Sequence, residues 1–355
     1  MPASPVLADA LAPTTTPGMA AIVIRDLRAE PELVAGVRVI NTTDRVRPGD
    51  RWHLGSDGKA MTATLIARLV EAGALAWDTP LSRMLPDLAD GMQPQYRDVT
   101  LPDLLSHRAG LPENIVDEQV FTRFYTDTAP PRAQRLRYIT ACLKDPPIGP
   151  ARAASHYSNT GPIIAGVIAE RVANQSFEEL IAAQVFAPLG MSSVTFVQAG
   201  GPGEPHGHVD GRDANRPQDI NPPIIVPAGG MRMSMRDWSR FCIDHLAGAR
   251  GAGRLLKPDT YRFLHAPQWV SDTGTGWALG WGVNPHPMNL RGPALTHSGS
   301  DGNWMALVCL FPDTGNGVIV AANAAESMKG DDATKSALKA LAPTVAEPLP
   351  AQPAH

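Results

Sequence analysis

The chain has 355 residues, 43% hydrophobic and 19% charged, with a formal net charge of −4 and a pI near 6.2. That composition is ordinary for a globular protein, and the length suits two subdomains or one large α/β unit. The mild acidity leaves no electrostatic footprint for nucleic acid and no basic amphipathic run for a membrane surface, so neither is expected as a partner.

Residues 1–16 and 343–355, rich in Ala, Pro and Thr, read as loosely held, flexible tails. The opening stretch lacks a basic segment followed by a sustained apolar one, and no run approaches the roughly 18 apolar residues that span a bilayer. A cytoplasmic protein is the expectation. Met19–Leu27 and Glu32–Ile40 have the β-branched content of strands, with a turn near Pro31. A helix is expected to open at Ser56, with apolar Met61, Leu65, Leu69 and Val70 near helical spacing and Gly73 as its stop. The middle is helical in pattern: "LPDLLSHRAG", "RLRYITACLK", "TGPIIAGVIAERVANQ" and "SFEELIAAQVFAPLG", punctuated by Gly and Pro. Ser234, with Asp237 three residues on, caps a further helix. Past Trp277 come short apolar segments, of which "NWMALVCLF" and "GVIVAANA" make a hairpin across "PDTGN". A last helix covers Asp332–Leu341. Strands at both ends with helices between them predict an α/β (α+β) chain. Residues 17–73 and 273–342 form one subdomain around a shared sheet, and 74–272 form an inserted, mainly helical one.

Cys142, Cys242 and Cys309 are far apart and odd in number, so they read as buried thiols rather than disulfides or metal ligands. His206, His208 and Asp210 lack a third ligand at a recognised spacing, and an ordinary loop is the better reading. "GSDGK" is no phosphate loop, since Ala60 stands where Ser or Thr is needed. No G-x-S-x-G surrounds Ser56, Ser158 or Ser300. No metal and no cofactor is expected.

Chemistry concentrates in three short stretches. In "GSDGK", Ser56 and Lys59 sit three apart at a helix start, so an amine shares a helical face with a hydroxyl that needs a base. "HYSNTG" places Tyr157 and Asn159 just before an apolar helix. "THSGSDGNW" puts His297, Ser298 and Gly299 at the end of a strand, with Ser300 and Trp304 following. The order Ser-x-x-Lys, Tyr-x-Asn, His-Ser-Gly resembles the serine β-lactamase and penicillin-binding-protein superfamily, in particular its class C and DD-peptidase-like branch. The likeness covers about residues 19–342 and includes "LLSHRAGLP" and "VPAGGMRMSMRDW".

The resemblance implies an antiparallel sheet flanked by helices. It further implies Ser56 as nucleophile, Lys59 and Tyr157 as the proton-transfer groups, and an oxyanion hole of the Ser56 and Ser300 backbone N–H groups. Tyr157 is expected to have its pKa lowered by Lys59, and which of the two is the base stays open. Asn159, His297, Ser298, Gly299 and Trp304 would face substrate; Trp277 and Trp281 read as core. His297 stands where β-lactamases carry a lysine. The expected activity is a serine hydrolase acting on a small-molecule ester or amide through an acyl-enzyme, foremost a carboxylesterase with weak or no β-lactamase activity. A D-amino-acid peptidase or amidase, or a β-lactamase, is the alternative within enzymes. A silent binding or scaffold protein is the alternative outside them.

Overall fold

A computed structural model describes residues 3–197 and 200–350. Its centre is a nine-stranded antiparallel sheet drawn from both ends of the chain. The N-terminal strands are β1 (Gly18–Arg25), β2 (Arg28–Ala29) and β3 (Leu33–Gly36). The C-terminal ones are β4 (Trp269–Val270), β5 (Gly276–Trp277), β6 (Gly282–Asn284), β7 (Ala294–Ser300), β8 (Met305–Phe311) and β9 (Asn316–Ala322). The order is β2-β1-β9-β8-β7-β6-β5-β4, with β3 on the free side of β1.

The register explains why the central strands are apolar at every position instead of alternating. Ile22 opposes Ile319, which opposes Val308, and these side chains join the larger core. Val23, Val318 and Cys309 form the neighbouring row and point into a second core on the opposite face. A sheet covered on both faces has no polar side.

The helix α1 (Pro5–Leu11) and the C-terminal helix α6 (Gly330–Leu341) cover the second face. Residues 3–16 are therefore not a loose tail. Pro5 opens α1 at a position where its missing N–H is harmless, and Leu7 and Ala10 are buried beneath it. The C-terminal tail is corrected in part: Val345 is buried and Pro348 bridges to Leu290, while 351–355 lie outside the described residues.

The first face is covered by α2 (Gly58–Glu71) and α5 (Met235–Ala249), with α3 (Pro131–Cys142) and α4 (Thr160–Ala173) beyond. The Ser234 hydroxyl accepts from Asp237 N at 3.2 Å and caps α5 as its sequence predicts. This helix was expected within the inserted helical region, yet it buries Trp238, Phe241 and Cys242 and packs on β1. Arg135 on α3 ties the helical part together: it pairs with Glu170 (2.6 Å) and Glu178 (2.8 Å) and donates to Pro223 O (3.1 Å). That last bond holds the 217–225 loop above the cleft. The three cysteines are buried and free. No helix among the described residues is long and apolar enough to cross a membrane.

Candidate active site

Ser56 lies in a single 3₁₀ turn, Gly55–Asp57, that runs directly into α2. Its backbone N–H is thus among the unpaired donors at a helix start, beside the positive end of a 14-residue helix. Two glycines let β7 come down onto this turn. Gly55 has φ +50°, and a Cβ there would meet Ser300 N at 2.3 Å. A Cβ on Gly299 would lie 1.9 Å from Leu54 O and 2.9 Å from Ser56 N. The Ser56 and Ser300 amides are neighbours only because both positions lack a side chain.

Lys59, the second residue of α2 and one turn beyond Ser56, is completely buried. Four oxygens surround its Nζ: Ser56 Oγ at 2.9 Å, Tyr157 OH at 2.6 Å, Asn159 Oδ1 at 2.8 Å and Ala228 O at 2.8 Å. Burial lowers its pKa to about 7, although Glu113 and Asp57 oppose the shift. A neutral amine has two hydrogens and one lone pair. Asn159 Oδ1 and Ala228 O can only accept, so they take the hydrogens, and the lone pair is left to accept from the Ser56 hydroxyl. Asn159 begins α4 without capping it; its Nδ2 donates to Asn114 Oδ1 at 3.1 Å, which fixes the amide's orientation.

The Tyr157 hydroxyl also donates to Ser56 Oγ, closing a triangle of Ser56, Lys59 and Tyr157. The expectation of a lowered tyrosine pKa is overturned. Burial raises it, more than the Ser56 bond lowers it, and Glu113 and Asp57 push it further up. An uncharged amine offers no field to stabilise a phenolate. Tyr157 rests on His107, whose ring centre is 4.7 Å away. His107 has φ +62°, and its Nδ1 accepts from Ser158 N at 3.2 Å, so the neutral ring carries its proton on Nε2. The histidine of "LLSHRAGLP" therefore sets the loop that carries Tyr157.

The open cleft over this triangle has a volume of about 450 Å³, and Ser56, Tyr157, Asn159, Ser298 and Ser300 line it. Glu113 and Asp301 line it too, and among the described residues it has no arginine or lysine wall. Sequence reasoning missed Asn114, Glu113, Asp301 and the Ala228 carbonyl. It also missed Asp57, whose buried carboxyl lies under Gly299 and is pushed well above the usual range by burial.

Three residues expected to face substrate lie elsewhere than in the surface of this cleft. His297 is only 6% exposed and lies outside the lining of the cleft; burial drives its pKa to about 3 and leaves it neutral. The reason is strand alternation: Ser298 points to the opposite face and reaches solvent. Gly299 contributes no surface of its own, being buried against the Ser56 turn. Trp304 is 5% exposed, edge-on to Trp52 and under Arg232, and is core. Trp277, expected in the core, instead stands beside the site, 6.0 Å from the Tyr157 ring and 5.7 Å from His297. Trp281 is buried as expected. His208 holds backbone on both sides, donating to Asn323 O (2.7 Å) and accepting from Ile40 N (3.0 Å), while His206 pairs with Asp213. That loop is a structural latch.

Comparison with known proteins identifies the family and the fold. A family model described as Beta-lactamase matches residues 6–342. Penicillin-binding protein 4 of Amycolatopsis lactamdurans is 29% identical over 306 residues, 82% of this chain and 76% of that one. The octameric penicillin-binding protein homologue from Pyrococcus abyssi superposes with a TM-score of 0.79 at 22% identity, covering 95% of this chain and 75% of that one. A D-stereospecific amidohydrolase from Streptomyces sp. gives 0.75 at 22% identity, covering 95% and 98%. The chain belongs to the Beta-lactamase family, whose members are serine hydrolases.

Proposed function

We propose that the protein hydrolyses small, uncharged carboxylic esters through an acyl-enzyme on Ser56. The observation that carries this reading is a serine hydroxyl with a buried amine of lowered pKa at 2.9 Å, in a cleft where no arginine or lysine among the described residues meets a substrate carboxylate. Lys59 takes the Ser56 proton, directly or through Tyr157, as Oγ bonds to the carbonyl carbon. The Ser56 and Ser300 amides receive the oxyanion. When the C–O bond to the alcohol breaks, the proton returns from Lys59 through Tyr157 to the departing oxygen. A water then follows the same path in reverse order and frees the acid.

A β-lactam's carboxylate would meet Glu113 and Asp301 here, and buried His297 adds no charge to offset them. The same two carboxylates favour one second reading, an amidase for D-amino-acid amides with a free ammonium, in keeping with the Streptomyces amidohydrolase's likeness. A hydrolysis panel decides: p-nitrophenyl acetate and butyrate, D-amino-acid amides and a chromogenic cephalosporin at pH 7.5. The esters should turn over and the cephalosporin should be cut slowly or not at all. A cephalosporin hydrolysed as efficiently as the best ester would refute the proposal.

A further inference from the structure

A second cavity, of about 420 Å³, adjoins the catalytic cleft and shares Ser298 with it. Its cause is local. Trp269, Trp277, Gly282, Thr296 and Cys309 are successive partners across β4, β5, β6, β7 and β8, so they lie in one row on one face of the sheet. Gly282 is the gap in that row. Where any other residue would place a side chain between Trp277 and Thr296, the sheet is open, and Leu307 and Leu338 complete an apolar wall. Among the described residues no Asp, Glu, Lys or Arg lines the cavity, and the one imidazole there, His297, is held neutral by burial.

Its position relative to the chemistry gives it a direction. The leaving oxygen must depart beside Tyr157, the group that returns the proton. Trp277, a wall of the cavity, is also the aromatic neighbour of Tyr157, at 6.0 Å. Ser298 is where the two spaces meet. The acidic groups Glu113 and Asp301 line only the other space.

We infer that this cavity is the subsite for the alcohol part of the substrate, and that it selects esters of uncharged, apolar alcohols. The inference rests on the ester reading above. It deepens that reading by naming which half of the substrate is recognised by apolar burial.

Two measurements separate the claims. In a pH-stat assay of acetate esters, kcat/KM should climb roughly threefold to fourfold per methylene from methyl to butyl alcohol, the factor expected for burying each group. Methyl esters of lengthening acids should show no such climb. Gly282→Ala, which puts a methyl 3.0 Å from Thr296 Oγ1, should lower the butyl-to-methyl ratio, as should Leu307→Ala by loosening the wall. The second measurement needs no turnover: calorimetric titration of 1-naphthol into the Ser56→Ala protein, with Gly282→Ala added in a parallel sample. Naphthol should bind, with quenching of tryptophan fluorescence, and bind less with Gly282→Ala. A flat alcohol series in an enzyme that does cleave esters overturns the subsite, and so does a rise along the acid series alone. Loss of all ester turnover with naphthol still bound sinks the ester reading and leaves the apolar site standing. No naphthol binding sinks the site.

Discussion

At the residue scale, one proton position organises the site. In the proposed mechanism Lys59 can act as a base because burial removes the stabilisation that water gives an ammonium, which brings its pKa to about 7. The sign follows directly. Below about 7 the amine is protonated and its lone pair is gone; above it the lone pair faces the Ser56 hydroxyl. For a neutral ester, kcat/KM should therefore fall about tenfold per pH unit on the acid side of a single titration near 7. His297, at about 3, should add no limb between pH 5 and 7. A rate that stays level down to pH 5 would contradict the account, as would activity confined to the usual lysine range. The Ser56–Lys59 pair and Tyr157 were legible in the sequence because local spacing and order carry them. The Ala228 carbonyl at Nζ and the Asn114 brace on Asn159 were not, because they arrive from segments 169 and 55 residues away from Lys59 in the chain.

At the scale of elements, the site is a meeting of the α2 start with the β7 edge, and glycine sets the distance. Gly299→Ala would drive a methyl into Leu54 O, a backbone carbonyl that accepts from Asp57 N at 3.2 Å and cannot yield as a side-chain tip could. The strand must move, and Ser300 N with it. Loss of one oxyanion donor lowers kcat by about a hundredfold or more, so that is the expected fall for the Gly299→Ala enzyme. Circular dichroism should show the fold retained; a variant of near wild-type activity would remove Ser300 from the oxyanion role. The exchange of roles between Trp277 and Trp304 also belongs to this scale. Trp304 was placed by its proximity to a motif along the chain and Trp277 was read as core, whereas which face a strand residue occupies depends on register. The hairpin of β8 and β9 was legible from its turn and apolar runs. The pairing of β7 with β6, which opens the second cavity at Gly282, carried no such local signal.

For the whole molecule, the sheet closes only because the chain ends meet: β1 inserts beside β9, and α1 packs with α6 over the outer face. A seven-residue helix has no stability of its own, so α1 exists through the burial of Leu7 and Ala10. That is why "PVLADAL" reads as a tail in isolation. Leu7→Ala should cost about 2–4 kcal/mol of unfolding free energy by urea titration, with kcat/KM of the folded enzyme unaltered. A loss under about 0.5 kcal/mol, the range of surface changes, would mean the N-terminal segment is a tail after all.

The central claim is a covalent acyl-enzyme on Ser56, and trapping tests it most directly. The protein is treated with a fluorophosphonate, or acid-quenched during turnover of a p-nitrophenyl ester, and its peptides are mapped by mass spectrometry. The account predicts a single adduct on Ser56, absent from the Ser56→Ala protein together with its turnover. An adduct on another serine, or turnover that survives Ser56→Ala, would contradict it.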